Sequence, residues 1–113
     1  MKRLFFALDL KDDPELIDAY KRWHRPENAW PDVTRSIRSS GIQNMEIYLT
    51  GNRLFMVVEA ADDFDPAAKQ QSDANNPLVQ EWESLMNQYQ QPLPWSQAGE
   101  KWVALEPIYS LPD

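Results

Sequence analysis

Tyr20 and His24 stand four residues apart, a spacing that places a phenol and an imidazole on one face of a helix end. His24 is the only histidine of the chain, and there is no cysteine. An imidazole whose ordinary pKa is ~6.5 gives and takes protons near neutrality, so the pair can perform general acid–base chemistry. A histidine near a helix C-terminus also serves as a capping or dipole partner, and composition alone leaves both roles open. Trp23 and Trp30 lie close by in sequence, and Trp82 is preceded by Gln80-Glu81 and followed by Glu83. An indole with amide and carboxylate acceptors beside it suits a sugar, which offers C–H faces for stacking and hydroxyls for hydrogen bonding. The same Trp82 also falls in a clear apolar helical stripe, which reads first as core.

Several other chemistries have no residues to carry them. Without cysteine there is no thiolate nucleophile, Fe–S cluster, disulfide or Cys-based zinc site, and a single histidine rules out His-rich metal clusters; no metal ligand set and no cofactor are expected. The acidic stretch Asp62-Asp63-Phe64-Asp65 lacks the glycine and terminal glutamate of a calcium loop and reads as a solvated turn. No glycine-rich phosphate loop is present. The 11 Lys+Arg against 18 Asp+Glu give a formal charge of −7, which repels a phosphate backbone, so neither nucleic acid nor an anionic membrane surface is an expected partner. No signal peptide and no membrane span are read, since Asp9 interrupts the first short apolar run, and a cytoplasmic protein is the expectation. At 113 residues with 42% hydrophobic content, a single packed domain over 1–113 is expected.

The elements that would position these residues follow from punctuation and periodicity. Lys2–Leu10 alternates as a strand buried on both faces, and Asp13-Pro14 supplies an N-cap and first-turn proline for a helix from Pro14 to Trp23. The prolines of His24–Pro31 force a break, and a second helix runs from Pro31 to a stop at Ser39-Ser40-Gly41. Ile42–Thr50 and Arg53–Ala60 read as a hairpin around Gly51-Asn52. A short helix begins at Pro66. Another, capped by Asn76-Pro77 and running to about Gln90, carries Leu78, Trp82, Leu85, Met86 and Tyr89 on one stripe. Gln91–Gly99 reads as loop, and Lys101–Tyr109 as a last, edge-type strand limited by Pro107. The order is β-α-β-β-α-β, a ferredoxin-like α+β sheet with helices on one face. Its other face is apolar enough to call for a partner subunit.

The order Tyr20-x-x-x-His24, Trp30-Pro31-Asp32, Gly41-x-x-Asn44-x-x-Ile47-Tyr48, Leu54-Phe55-x-x-x-Glu59, Gln80-x-Trp82, Gln91-Pro92-Leu93 and Gly99-Glu100-x-Trp102 resembles the L-rhamnose mutarotase family over nearly the whole chain. The resemblance implies a ferredoxin-like subunit that pairs into a dimeric α/β barrel. It also implies an isomerase that interconverts the α and β anomers of a free 6-deoxyhexose without metal or cofactor. It assigns the proton-donor role to His24, a sugar contact to Tyr20 and a pocket wall to Trp82. Met45 stands where rhamnose-specific members carry a sugar-contacting tyrosine, and Glu83 where they have a second tryptophan, so these two are expected to shape selectivity. The Gln-Pro-Leu and Gly-Glu-x-Trp elements resemble a subgroup associated with L-fucose, which favours L-fucose over L-rhamnose as substrate. The Trp-Pro pair lies two residues further from the histidine than in many members, lengthening the loop between them.

Two other classes fit a small α+β barrel. A non-catalytic sugar-binding module would bind the sugar and leave anomer exchange at the solvent rate. A cofactor-free monooxygenase of aromatic polyketides would favour a wholly apolar cavity, against which Gln80, Glu81 and Glu83 argue.

Overall fold

Three of the four α-helices start at a short polar side chain, and the one that begins at Pro31 starts without a side-chain cap. Asp13, Asp65 and Asn76 each sit in extended backbone and accept hydrogen bonds from the first free amides of the following turn, with proline at the first helical position. The computed structural model describes residues 1–113. Its elements are β1 (Lys2–Leu10), α1 (Pro14–Trp23), a 3₁₀ turn (Pro26–Asn28), α2 (Pro31–Ser39), β2 (Ile42–Thr50), β3 (Arg53–Ala60), α3 (Pro66–Ala74), α4 (Pro77–Asn87), β4 (Gln90–Gln91) and β5 (Val103–Ala104).

The strands form one antiparallel sheet in the order β2-β3-β1-β4, with β5 also paired to β1. This is the ferredoxin-like α+β arrangement, with β1 and β3 central. The hairpin of β2 and β3 closes through Gly51, whose φ of 56° an L side chain rarely adopts. A register shift between Ile42 and Asn44 bends the start of β2.

The end of the chain differs from the sequence expectation. In place of one strand over Lys101–Tyr109, two short segments share the free edge of β1: Gln90–Gln91 pairs with Asp9 and Leu10, and Val103–Ala104 with Phe6 and Ala7. Pro92 and Pro94 interrupt any longer ladder after β4, because neither can donate. α4 correspondingly stops at Asn87 rather than near Gln90. The Lys11 amide donates to the Tyr89 carbonyl at 2.9 Å and draws that stretch out of helical geometry into β4.

Strand alternation sorts the sheet into two faces. Leu4, Phe6 and Leu8 pair with Val58, Met56 and Leu54 on the side of the helices. There the core forms two clusters, one around Leu10, Tyr20, Leu54 and Met86, the other around Ile42, Val58, Ala60 and Phe64. On the opposite face Asp9, buried, accepts two hydrogen bonds from Arg53 at 2.7 and 3.2 Å, and Arg53 lies 5.0 Å from the Trp95 ring centre. That forked pair ties β1 to the start of β3. Phe5 and Tyr48 stand exposed on the same face.

Candidate active site

The site is built on the last turn of α1 and completed by α4, the loop after α1, and β4. Tyr20 faces the core and is only 4% exposed. His24, the C-cap residue of α1, turns its ring back over it, with ring centres 4.3 Å apart. Its Nδ1 lies 2.8 Å from the Tyr20 carbonyl oxygen. A carbonyl can only accept, so Nδ1 carries the proton, and the neutral ring presents its lone pair at Nε2.

Aromatic rings surround this pair. Trp82 of α4 meets the imidazole edge-on at 5.6 Å, and Trp30 and Trp23 approach Trp82 at 5.1 and 6.4 Å. The Trp23 indole N–H donates to the Tyr89 hydroxyl at 3.1 Å, and the Tyr89 ring lies 6.2 Å from that of Tyr20. Trp82 is half-buried and packs against the first core cluster, so its two readings coincide: one part of the indole is core and another faces the imidazole. A hollow of about 300 Å³, lined by Ala19, Arg22, Trp23, Asn28 and Tyr89, opens beside this group and shares two of its rings.

Packing sets the protonation states. Partial loss of water around the His24 ring lowers its pKa below the ordinary 6.5, opposed in part by the bond to the Tyr20 carbonyl, although the residue itself remains exposed. The resting imidazole is therefore neutral at pH 7, a base at Nε2. Burial raises the Tyr20 pKa above 10.0, partly offset by the Gln90 amide, so the phenol stays protonated.

Of the residues expected from sequence, Tyr20, His24 and Trp82 come together. Met45 packs with the second cluster, beside Ile42 and Val58, and Glu83 accepts a hydrogen bond from Gln80 at 3.4 Å on the outer side of α4. Gln90 was not singled out by the sequence. Its Nε2 donates to the Tyr20 hydroxyl at 3.3 Å, while its Oε1 is buried without a partner. Glutamine in a polar Tyr-Gln-Gln run gives no signal of burial; only the pairing of Gln90 with Leu10 turns it inward. No three His, Asp or Glu side chains converge on one point.

Fold and ring group define a ferredoxin-like α+β protein whose aromatic-walled site is equipped to move protons on a small polar ring. The model of the L-rhamnose mutarotase family matches residues 3–111, and the chain belongs to that family. It is 47% identical over 111 residues to an L-fucose mutarotase of Xanthomonas campestris, covering 98% of this chain and 89% of that protein. It is 41% identical over 109 residues to a UPF0734 protein of Dictyostelium discoideum, covering 93% and 86%. Among solved structures, an L-rhamnose mutarotase from Formosa agariphila superposes with a TM-score of 0.70 at 23% identity, over 99% of this chain and all of that one. The tetracenomycin F2 cyclase of Streptomyces glaucescens gives 0.60 at 18%, over 99% of this chain and 100% of that one. At those identities the two structures speak for the fold alone.

Proposed function

We propose that this chain is a mutarotase that interconverts the α and β anomers of a free 6-deoxyhexose, L-fucose in preference to L-rhamnose. The observation that carries the reading is the 2.8 Å contact of His24 Nδ1 with the Tyr20 carbonyl, which fixes the tautomer and leaves Nε2 as the one exchanging atom. Membership of the family and the 47% identity to an L-fucose mutarotase support the substrate class.

In this mechanism neutral His24 takes the proton of the anomeric hydroxyl at Nε2. The C1–O1 bond becomes a carbonyl, the ring C1–O5 bond breaks, and its electron pair goes to O5. The imidazolium then returns the same proton to O5, which lies within reach because O1 and O5 share one carbon. Rotation about C1–C2 presents the other carbonyl face. His24 removes the O5 proton as O5 closes on C1, and hands it to the new anomeric oxygen. The protein ends as it began, and its lowered pKa makes the imidazolium a ready donor. Tyr20 holds the imidazole by its carbonyl and ring, and its protonated hydroxyl, buried on the core side, accepts from the Gln90 amide. Trp82 stacks on the sugar, with Met45 and Glu83 acting on selectivity from the margin. Acid–base catalysis by one positioned group supplies ~10²–10⁴-fold, enough for a reaction that already proceeds in water.

The working form is a homodimer closed into an α/β barrel. Leu105 donates its amide to the Phe5 carbonyl at 2.8 Å, and beyond it Ile108, Tyr109 and Leu111 are 90%, 76% and 78% exposed. An apolar arm and an open sheet face on one chain are surfaces that a second copy would cover. No helix is long and apolar enough to cross a membrane, and action in the cytoplasm is in keeping with a cysteine-free chain.

Saturation transfer between anomeric protons tests the activity. With purified protein, exchange in L-fucose and L-rhamnose should exceed the buffer rate, L-fucose more strongly; exchange at the buffer rate in both would leave a binding module as the surviving reading.

A further inference from the structure

A buried carbonyl without a hydrogen bond is costly, and native proteins keep few of them. Gln90 Oε1 is such an atom, on the side chain hydrogen-bonded to the Tyr20 hydroxyl. Its position has three causes. The ladder pairing of Gln90 with Leu10 turns the side chain to the helix side of the sheet. The other end of the carboxamide is engaged by the Tyr20 hydroxyl at 3.3 Å. Tyr20 in turn stacks on the imidazole that performs the proton transfer. A carboxamide fastened at one end and unpaired at the other, one side chain away from the reacting atoms, lacks a hydroxyl donor. Rotating the amide by half a turn leaves an unpaired N–H₂ in place of the oxygen, and the shortfall of one hydroxyl partner remains.

We infer that Gln90 is a specificity-determining residue, its free amide end reading one ring hydroxyl of the bound sugar. The inference rests on the mutarotase reading and goes beyond it: it assigns hydroxyl discrimination to β4, apart from Met45 and Glu83. L-fucose and L-rhamnose differ in hydroxyl configuration at C2 and C4, and a buried amide left unpaired by one of the two sugars disfavours that sugar.

The test compares wild type with Gln90→Leu, and with Gln90→Met should leucine disturb the packing, on L-fucose and on analogues lacking one hydroxyl at a time. Anomer exchange is read by saturation transfer. Wild type should lose roughly 10-fold or more in kcat/KM on the analogue missing the read hydroxyl. The variant should lose a similar factor on L-fucose, mainly through KM, and nothing further on that analogue. Its thermal midpoint should hold or rise, since an unpaired polar atom is gone. Equal loss on every sugar, or no loss on L-fucose, would overturn the assignment while the activity stands. Wild-type exchange at the buffer rate would instead remove the activity itself.

Discussion

Replacing Tyr20 by phenylalanine removes a single oxygen, yet it should cost more stability than removing the whole carboxamide of Gln90. The Gln90–Tyr20 bond is long at 3.3 Å, so the bond itself contributes at the low end, ~0.5–1 kcal/mol. In Tyr20→Phe the Nε2 end loses its partner too, so that both ends of the carboxamide are unpaired, and leaving such a group buried costs ~1–3 kcal/mol. For a chain of this length that corresponds to a fall in thermal midpoint of roughly 4–13 °C. Gln90→Leu leaves the Tyr20 hydroxyl unpaired but removes the orphaned Oε1 and adds apolar contact to the cluster of Leu10, Leu54 and Met86, so its net effect should be near zero. The double variant should match Gln90→Leu, which makes the two changes non-additive by the full cost of Tyr20→Phe, ~1–3 kcal/mol. Urea unfolding of the four proteins, with equal m-values as the control, measures this directly. Additive costs, or a Gln90→Leu variant less stable than Tyr20→Phe, would refute the reasoning.

Four further outcomes are expected. The kcat/KM for anomer exchange should fall about tenfold per pH unit once the pH drops below the lowered pKa of His24, and stay flat from about pH 6.5 until the raised Tyr20 pKa is reached. Folding stability should follow the same group: the unfolded chain binds a proton below ~6.5 that the folded ring resists, so stability declines as pH falls from there through the folded pKa and is unaffected above. Trp82→Leu should raise KM by roughly 5–10-fold with kcat less affected, the loss of ~1 kcal/mol of ring stacking, measured by saturation kinetics of exchange. Tyr109→Asp with Leu111→Asp, both on the exposed arm, should convert a dimer to a monomer in sedimentation velocity; an unchanged sedimentation coefficient would remove the arm from the interface.

The parts of the fold that were legible from sequence are those with both a start signal and a period. Asp13-Pro14, Pro31, Asn76-Pro77 and the Gly51-Asn52 turn bracket segments whose apolar spacing is unambiguous, and α1, α2, α4 and the β2–β3 hairpin follow. The last third of the sheet was not legible, because β4 and β5 are two-residue ladders fixed by the β1 edge rather than by their own periodicity. The site divides along the same line. Tyr20 and His24 meet through helical geometry alone, and Trp82 is carried to them by a well-patterned helix. Trp30 arrives through a proline-rich turn and Gln90 through an edge pairing, tertiary facts with no local signature.

One nitrogen, His24 Nε2, is proposed to carry the proton in both halves of the reaction. The most direct test of that role is anomer exchange of L-fucose by His24→Ala, with and without added imidazole. A ~10²–10⁴-fold loss to near the buffer rate is expected, with partial recovery as imidazole fills the vacated space. Exchange in the variant at the wild-type rate would contradict it.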